Sequence, residues 1–147
     1  MSEAALYEAL KIDKQLCFPL YAASRSVIKL YTPLLEELDL TYTQYITLLV
    51  LWEKKELNVK QLGQSLYLDS GTLTPLLKKL EKKGLIERHR SREDERNLIV
   101  TITERGEALK KDAARIPGIL NANAKLSQDE SQVLYGLLYK LLEKEED

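Results

Sequence analysis

The chain has 147 residues, of which 44% are hydrophobic, and its formal net charge is −1 at pH 7. That length accommodates one modest domain with a single core. No apolar run approaches the roughly 18 residues that a transmembrane helix needs, and residues 1–13 lack the pattern of a secretory leader, so we expect a soluble, cytoplasmic protein without a membrane partner. One cysteine, Cys17, and one histidine, His89, predict neither an intramolecular disulfide framework nor a metal or cofactor site.

Apolar residues recur at intervals of three and four from Leu20 to Leu38 and predict a long first helix. Pro19 stands just before this pattern. A proline is tolerated in a first helical turn but disrupts a helix interior, so a helix either begins near Cys17 or kinks there. Both alternatives leave free backbone amides close to the sulfur atom.

Two capping boxes predict the next two helices, because Thr41 is followed by Gln44 and Asn58 by Gln61 at the spacing that caps a new helix reciprocally. The residues expected on their buried sides are Tyr45, Leu48, Leu49 and Trp52 in the first helix and Val59, Leu62 and Leu66 in the second.

Asp69 or Ser70 begins a third short helix, which Gly84 ends. Its expected buried side consists of Leu73, Leu76, Leu77 and Leu80. Residues 85–90 and 97–102 then predict two strands of a hairpin. Two short helices followed by a basic hairpin are typical of a winged helix-turn-helix, which binds duplex DNA with a helix in the major groove. We therefore predict a mainly α fold with a small β-hairpin, and a DNA-binding lobe over residues 57–106.

Positive charge is concentrated in this lobe. Residues 70–96 contain eight basic and five acidic residues, a net charge of +3, which leaves −4 for the rest of the chain. The candidate DNA contacts are Ser70, Thr72, Thr74, Lys78 and Lys79 on the helix and Arg88, Arg90, Arg92 and Arg96 on the hairpin. We expect Arg96 to enter a minor groove or contact the backbone, supported by Asp94 or Asp69. Ordinary helix capping by Ser70 or Asp69 and a solvated hairpin tip remain open alternatives.

Further helices flank the lobe on both sides. Thr103 begins one that Pro117 and Gly118 end, and Ser127 with Glu130 begins a strongly amphipathic terminal helix. Flanking helices of this kind often build a two-fold dimer, since the two DNA-binding lobes of a dimer must be held at a fixed spacing. We therefore assign residues 1–40 and 107–147 to dimerisation within one domain, 1–147. Packing of the terminal stripe on its own chain is the alternative.

The amino-acid sequence of the hairpin resembles that of a known family. Asp94-Glu95-Arg96, followed by Val100, Ile102, Thr103 and Gly106, resembles the wing signature of the MarR family of bacterial regulators. Several further blocks look like the OhrR branch of that family, which senses organic hydroperoxides: Gln15-Leu16-Cys17-Phe18, Tyr31, Thr41-Tyr42, Gln44-Tyr45 and Leu68-Asp69-Ser70-Gly71-Thr72-Leu73-Thr74-Pro75. The resemblance spans nearly the whole chain.

What the resemblance implies is a redox-sensing repressor that binds operator DNA as a homodimer. Cys17 matches the sensor that an organic hydroperoxide oxidises, and Tyr31 and Tyr42 match the tyrosines of the second subunit that donate hydrogen bonds to its thiolate. A second, resolving cysteine is missing, so the chain is similar to the one-cysteine type, in which a low-molecular-weight thiol captures the sulfenic acid. Oxidation then releases the operator.

Three other interpretations remain open at this point. A regulator of the same fold could respond to a phenolic or drug-like ligand, with Cys17 as a buried structural residue. Two oxidised subunits could form a disulfide between their Cys17 residues. A thiol peroxidase is disfavoured because neither a resolving cysteine nor a histidine or arginine motif adjoins the thiol, so we expect no enzyme activity.

Overall fold

The structure is a computed structural model that describes residues 1–143, and the chain divides into two compact units, Met1–Arg115 and the residues from Ile116 onward. The first unit contains α1 (Glu3–Glu8), a 3₁₀ turn (Ile12–Lys14), α2 (Cys17–Glu36), α3 (Tyr42–Lys54), β1 (Glu56–Asn58), α4 (Val59–Leu66), α5 (Ser70–Lys82), β2 (Ile86–Arg90), β3 (Leu98–Ile102) and α6 (Glu104–Ala113). The second contains α7 (Ile116–Ala122) and α8 (Gln128–Leu142).

Helix starts follow the capping residues of the sequence. Thr41, Asn58 and Ser127 each accept a backbone N–H three residues later and form complete capping boxes, which confirms all three predicted starts. Asp69 caps α5, and Thr103 caps α6. Because a cap satisfies otherwise unpaired amides of the first turn, these boundaries are determined locally.

The sheet has three antiparallel strands in the order β1-β3-β2. The predicted hairpin is confirmed, with each strand beginning one residue later than expected, and Arg88 of β2 lies opposite Val100 of β3. β1 was not predicted. It spans only three residues and places Leu57 beside Val100, so it is too short to show an alternating pattern and forms because β3 offers it a partner.

The core of the first unit lies between α3, α4, α5 and the sheet. Its fully buried side chains include Leu48, Leu51, Leu62, Leu73, Leu77, Leu80, Ile86 and Val100. Leu49 was expected on the buried side of α3 but is 43% exposed, and Leu51 is buried instead. The reason is helical geometry, since Leu51 lies three residues after Leu48 on the same face and Leu49 is turned about 100° away.

The apolar stripe of α2 divides into two parts. Leu35 near its C-terminus is buried, whereas Leu20, Val27 and Ile28 are 37–50% exposed. Exposed apolar residues also occur in the segment that precedes and begins α2, and they include Leu6, Leu10, Ile12, Leu16 and Phe18. One helix therefore joins the core at one end and presents apolar surface at the other.

The second unit differs from the prediction at its first helix. α6 ends at Ala113, and Pro117 lies in the first turn of a new helix, α7, instead of terminating the preceding one. A first turn tolerates proline because its N–H would have no helical partner there. α8 contains no buried residue, and its apolar stripe includes Val133, Leu134, Leu137, Leu141 and Leu142 as exposed side chains.

Among the helices of residues 1–143, none combines the length and apolar character that a bilayer span requires.

Candidate nucleic-acid interface and cysteine site

α5 presents a polar side opposite its buried leucines. Ser70, Thr72 and Thr74 in its first two turns are exposed, as are Lys78 and Lys79 further along. Asp69 Oδ1 accepts the N–H of Thr72 at 2.8 Å, and the backbone and side-chain hydrogen bonds to Thr72 lower the pKa of the Asp69 carboxyl. The helix thus begins with hydroxyl donors and continues with ammonium groups, an order that suits base edges and phosphates. We call α5 the reading helix.

The loop between β2 and β3, residues 91–97, forms the tip of the wing. Asp94 Oδ1 accepts the backbone N–H of Arg96 at 3.0 Å and its Nε at 3.3 Å, while the Arg96 side chain stays 92% exposed. The support expected from Asp69 is not among the contacts of residues 1–143, where that carboxylate caps the reading helix. Arg96 is therefore held at its base by its neighbour, and its guanidinium remains accessible.

Arg88 differs from the other wing arginines. Its guanidinium donates to both carboxylate oxygens of Glu81, at 3.1 and 3.2 Å, and its backbone N–H donates to the same carboxylate. The Arg88 side chain is only 18% exposed, and its hydrogen bonds lower the pKa of Glu81. Arg90 and Arg92 are exposed. The Glu81–Arg88 pair thus joins the reading helix to the wing, a contact that no local sequence pattern indicated.

Cys17 is the first residue of α2, and it is exposed. The preceding Leu16 has no side chain that could cap the helix, and Pro19 lies within the first turn. Of the two alternatives at Pro19, the helix start is therefore the one observed. The first-turn backbone amides and the positive end of the helix dipole therefore lie at the end of α2 that carries the sulfur.

Tyr31 and Tyr42 lie side by side, with their ring centroids 5.0 Å apart, and Tyr45 packs 5.7 Å from Tyr31. Burial raises the pKa of Tyr31, and the neighbouring Tyr42 raises it further. The Tyr31 phenol consequently keeps its proton at neutral pH and can donate it in a hydrogen bond. Tyr31 follows Cys17 by 14 residues on one helix, which at 1.5 Å per residue separates the two by about 21 Å. Within one chain, the tyrosine pair and the cysteine are apart.

Sequence reasoning also missed a contact at the end of the reading helix. Lys83 Nζ donates to Oε1 of Gln44 at 3.0 Å and to the backbone carbonyl of Asp39. Capping predicted the role of Gln44 in α3, but nothing in the sequence relates it to a lysine 39 residues later.

Comparison with known proteins gives a consistent set of relatives. The family model described as transcriptional regulator SarA/Rot matches residues 29–113. The organic hydroperoxide resistance transcriptional regulator of Bacillus subtilis (strain 168) is 50% identical over 137 residues, which cover 93% of each chain.

Two DNA-bound regulators share the fold. Structures of AbfR bound to DNA, one reduced and one overoxidised, are 34% identical with a TM-score of 0.77 and cover 92% of this chain and 95–96% of theirs; AbfR has also been solved from Staphylococcus epidermidis. A mutant MarR from E. coli complexed with operator DNA is 27% identical with a TM-score of 0.79, covering 87% of this chain and 94% of that one.

These relatives are regulators of transcription and not enzymes. Their similarity extends over the capped helices, the reading helix and the wing described above, and it includes the region of the lone cysteine. The chain therefore belongs to the MarR family of DNA-binding transcriptional regulators, in the branch of the organic hydroperoxide resistance regulators.

Proposed function

We propose that this protein is a homodimeric repressor that holds operator DNA while Cys17 is reduced and releases it when an organic hydroperoxide oxidises Cys17. The observation that carries this proposal is the exposed thiol at the uncapped start of α2, in a chain half identical to an organic hydroperoxide resistance regulator. An exposed thiol at a helix start is accessible to a small oxidant. A buried structural cysteine would not be.

The chemistry starts from the thiolate. Its sulfur attacks one peroxide oxygen, the O–O bond breaks, and the other oxygen takes up a proton and leaves as the alcohol. Cys17 becomes a sulfenic acid. A low-molecular-weight thiol then attacks the sulfenic sulfur, water leaves, and a mixed disulfide remains.

The tyrosine pair supports the thiolate from a second copy of the chain. Because about 21 Å of helix separates Cys17 from Tyr31 within one chain, the phenols of Tyr31 and Tyr42 that donate to the sulfur are those of the other subunit. The exposed apolar side chains at the start of α2, and separately those along α8, support dimerisation, since a second copy of the chain would remove them from water.

Each subunit presents one reading helix and one wing to DNA. Two reading helices about one DNA turn apart enter successive major grooves of a pseudo-palindromic site. The hydroxyl and ammonium side chains of α5 contact bases and phosphates, and the accessible Arg96 enters the minor groove beside it.

Oxidation needs only a modest coupling free energy. About 1–3 kcal/mol between the two sites lowers DNA affinity roughly 5- to 150-fold. AbfR has been solved on DNA in an overoxidised form as well as reduced. For the present protein we therefore expect a bulky mixed disulfide, which displaces the tyrosines, to weaken binding more than added oxygen atoms alone.

The decisive experiment measures operator affinity at fixed salt, because phosphate contacts make affinity strongly dependent on ionic strength. The operator is selected from random duplexes with reduced protein. Wild type and Cys17→Ser are compared untreated, after tert-butyl hydroperoxide, and after hydroperoxide plus free cysteine. We expect wild type to lose affinity and the serine variant to remain bound. Loss of binding by both proteins, with Cys17 unmodified in mass spectra, would refute the proposal and favour a ligand-responsive regulator.

The tyrosines are tested by removing one hydroxyl at a time. Tyr31→Phe and Tyr42→Phe should slow oxidation of Cys17, because each removes a donor that stabilises the thiolate. Tyr135→Phe is the matched control, since it removes a phenol from α8. Equal oxidation rates in all three variants would exclude a thiolate-supporting role for the pair.

A further inference from the structure

The C-terminal end of the reading helix meets the start of α3 through one partly buried lysine. Lys83 directly follows α5, and its side chain is 29% exposed. Its Nζ donates to Gln44 Oε1 and to the carbonyl of Asp39, and it lies 3.7 Å from Oδ2 of Asp39. The ammonium group has three donors, of which Gln44 Oε1 and the Asp39 carbonyl accept two, while the Asp39 carboxylate lies beyond hydrogen-bond distance.

Gln44 places this contact in the first turn of α3. It is 3% exposed, and its Oε1 also accepts the N–H of Thr41 at 3.1 Å, which completes the capping box. The Asp39 carboxylate is 93% exposed and contributes little as an ion pair. The buried amide oxygen and the Asp39 carbonyl therefore hold the lysine, and one oxygen serves both the helix start and the reading helix.

The same turn carries Tyr42 of the tyrosine pair. Tyr42 and Tyr45 flank Gln44 on α3, and both rings pack against Tyr31 of α2. Asp39 lies in the connection between these helices with φ at 55°, in the left-handed region that residues other than glycine seldom adopt. Gln44 is adjacent to Tyr45 in the sequence and Asp39 precedes Tyr42 by three residues, so both acceptors of Lys83 lie close to these tyrosines along the chain.

We propose that Lys83 is a positioning residue that couples the tyrosine pair to the reading helix. This inference rests on the proposed function, because it names the route by which oxidation at Cys17 reaches the DNA contacts. When the tyrosines shift, Gln44 and the Asp39 carbonyl shift with them, and the lysine carries the end of α5 along. A small rotation there displaces the first turns of the helix, where Ser70 and Thr72 face outward.

The test compares Lys83→Met with Lys82→Met. Methionine keeps the unbranched apolar stem and removes the ammonium, and Lys82 is the exposed neighbour that provides the matched loss of charge. Dissociation constants are measured for the selected operator and for a non-operator duplex of equal length, before and after treatment with tert-butyl hydroperoxide and cysteine.

We expect wild type and Lys82→Met to lose operator affinity on oxidation by the same factor, within about 5- to 150-fold. Lys83→Met should retain less than a third of that factor, and in the reduced state its preference for operator over non-operator DNA should fall at least threefold relative to Lys82→Met. The inference would be overturned if Lys83→Met lost operator affinity on oxidation by the same factor as wild type. It would also be overturned if Lys82→Met lost as much of the reduced-state preference for operator DNA as Lys83→Met.

The two proposals fail separately. If wild type does not respond to oxidation, the proposed function is refuted, and the reduced-state preference of Lys83→Met then decides the positioning role alone. If circular dichroism shows that Lys83→Met is unfolded, the same dissociation constants are measured for Lys83→Gln, and the same outcomes are expected. A double-mutant cycle with Tyr42→Phe adds a direct measure of coupling: the effects should be non-additive with Lys83→Met and additive with Lys82→Met, and additivity in both would count against the route.

Discussion

Apolar side chains are mostly buried in the winged lobe and mostly exposed in the terminal helices. In the lobe and in α3, which packs against it, the core leucines are almost completely buried together with Val100 of the sheet: Leu48, Leu51, Leu62, Leu73, Leu77 and Leu80. In α1, the first half of α2 and α8, side chains of the same type are exposed, and α8 has no buried residue. Both regions show clear amphipathic periodicity, so the pattern alone does not distinguish them.

This difference shows which apolar surfaces a single chain can bury by itself. The core of the lobe is formed by residues of a single chain. This is what we expect of a region that must hold its DNA contacts in a fixed geometry. The terminal helices carry apolar surface that a second copy would cover under the proposed dimer. Stability should therefore depend on the lobe, and association on the terminal helices.

The largest expected effect comes from the core that α3 shares with the lobe. Leu48→Ala removes a side chain that is 0% exposed and should lower the free energy of unfolding by about 2–5 kcal/mol. Leu49→Ala, one residue along and 43% exposed, is the matched control and should cost less than about 1 kcal/mol. Denaturant unfolding measures both, and similar values would show that α3 is not packed as described.

The next effect tests the terminal helices. Leu137 is 56% exposed on α8, and if a second copy covers it, Leu137→Ala should weaken dimerisation by about 1.5–3 kcal/mol, roughly 10- to 150-fold. Gln132→Ala, on another face of the same helix, should change it little. Analytical ultracentrifugation over a range of concentrations measures the constant. A monomeric wild type would remove the basis of the comparison.

A pair of glycines sharpens the contrast. A Cβ at Gly106 would lie 2.2 Å from the carbonyl oxygen of Leu85, whereas a Cβ at Gly136 on α8 meets nothing within 4 Å. Gly106→Ala should destabilise the protein by about 1–3 kcal/mol or more. Gly136→Ala should stabilise it by up to about 1 kcal/mol, because alanine favours a helix interior. Thermal unfolding distinguishes the signs, and stabilisation by both would contradict the close approach at Gly106.

The smallest effect concerns pH and the start of the reading helix. Hydrogen bonds from Thr72 hold the pKa of Asp69 below its ordinary value, so the charged cap stabilises the folded state above that value, about pH 4, and the contribution is lost as pH falls through the lowered pKa. Asp69→Asn keeps a capping oxygen without the charge. The difference in stability between wild type and variant should shrink as pH falls below about 4. Parallel stability curves down to pH 2 would exclude the effect.

Local signals explain how much of the fold was predictable. A capping residue and its partner are three positions apart, so Thr41, Asn58 and Ser127 determine their helix starts without reference to the rest of the chain. The alternation in β3 and the glycine after α5 act over similarly short distances. Pro117 misled the prediction because proline is compatible with a first turn as well as with a helix end.

The candidate site was predictable only in part. Residue types placed the polar side of the reading helix, the arginines of the wing and the lone cysteine, and the resemblance selected Tyr31 and Tyr42 from eight tyrosines. Neither approach showed that the Arg88 side chain is mostly buried against Glu81 while the Arg96 side chain stays exposed beside Asp94, since both arginines belong to the same basic segment.

By itself, the sequence determined the order of the main helices and the hairpin, the capped helix starts and the family, because those properties depend on neighbouring residues and on short motifs. Only the tertiary structure decided that β1 joins the sheet, that α2 is buried at one end alone, and that Lys83 meets Gln44. These features depend on contacts between residues far apart in the chain, and such contacts exist only after the backbone has brought their surfaces together.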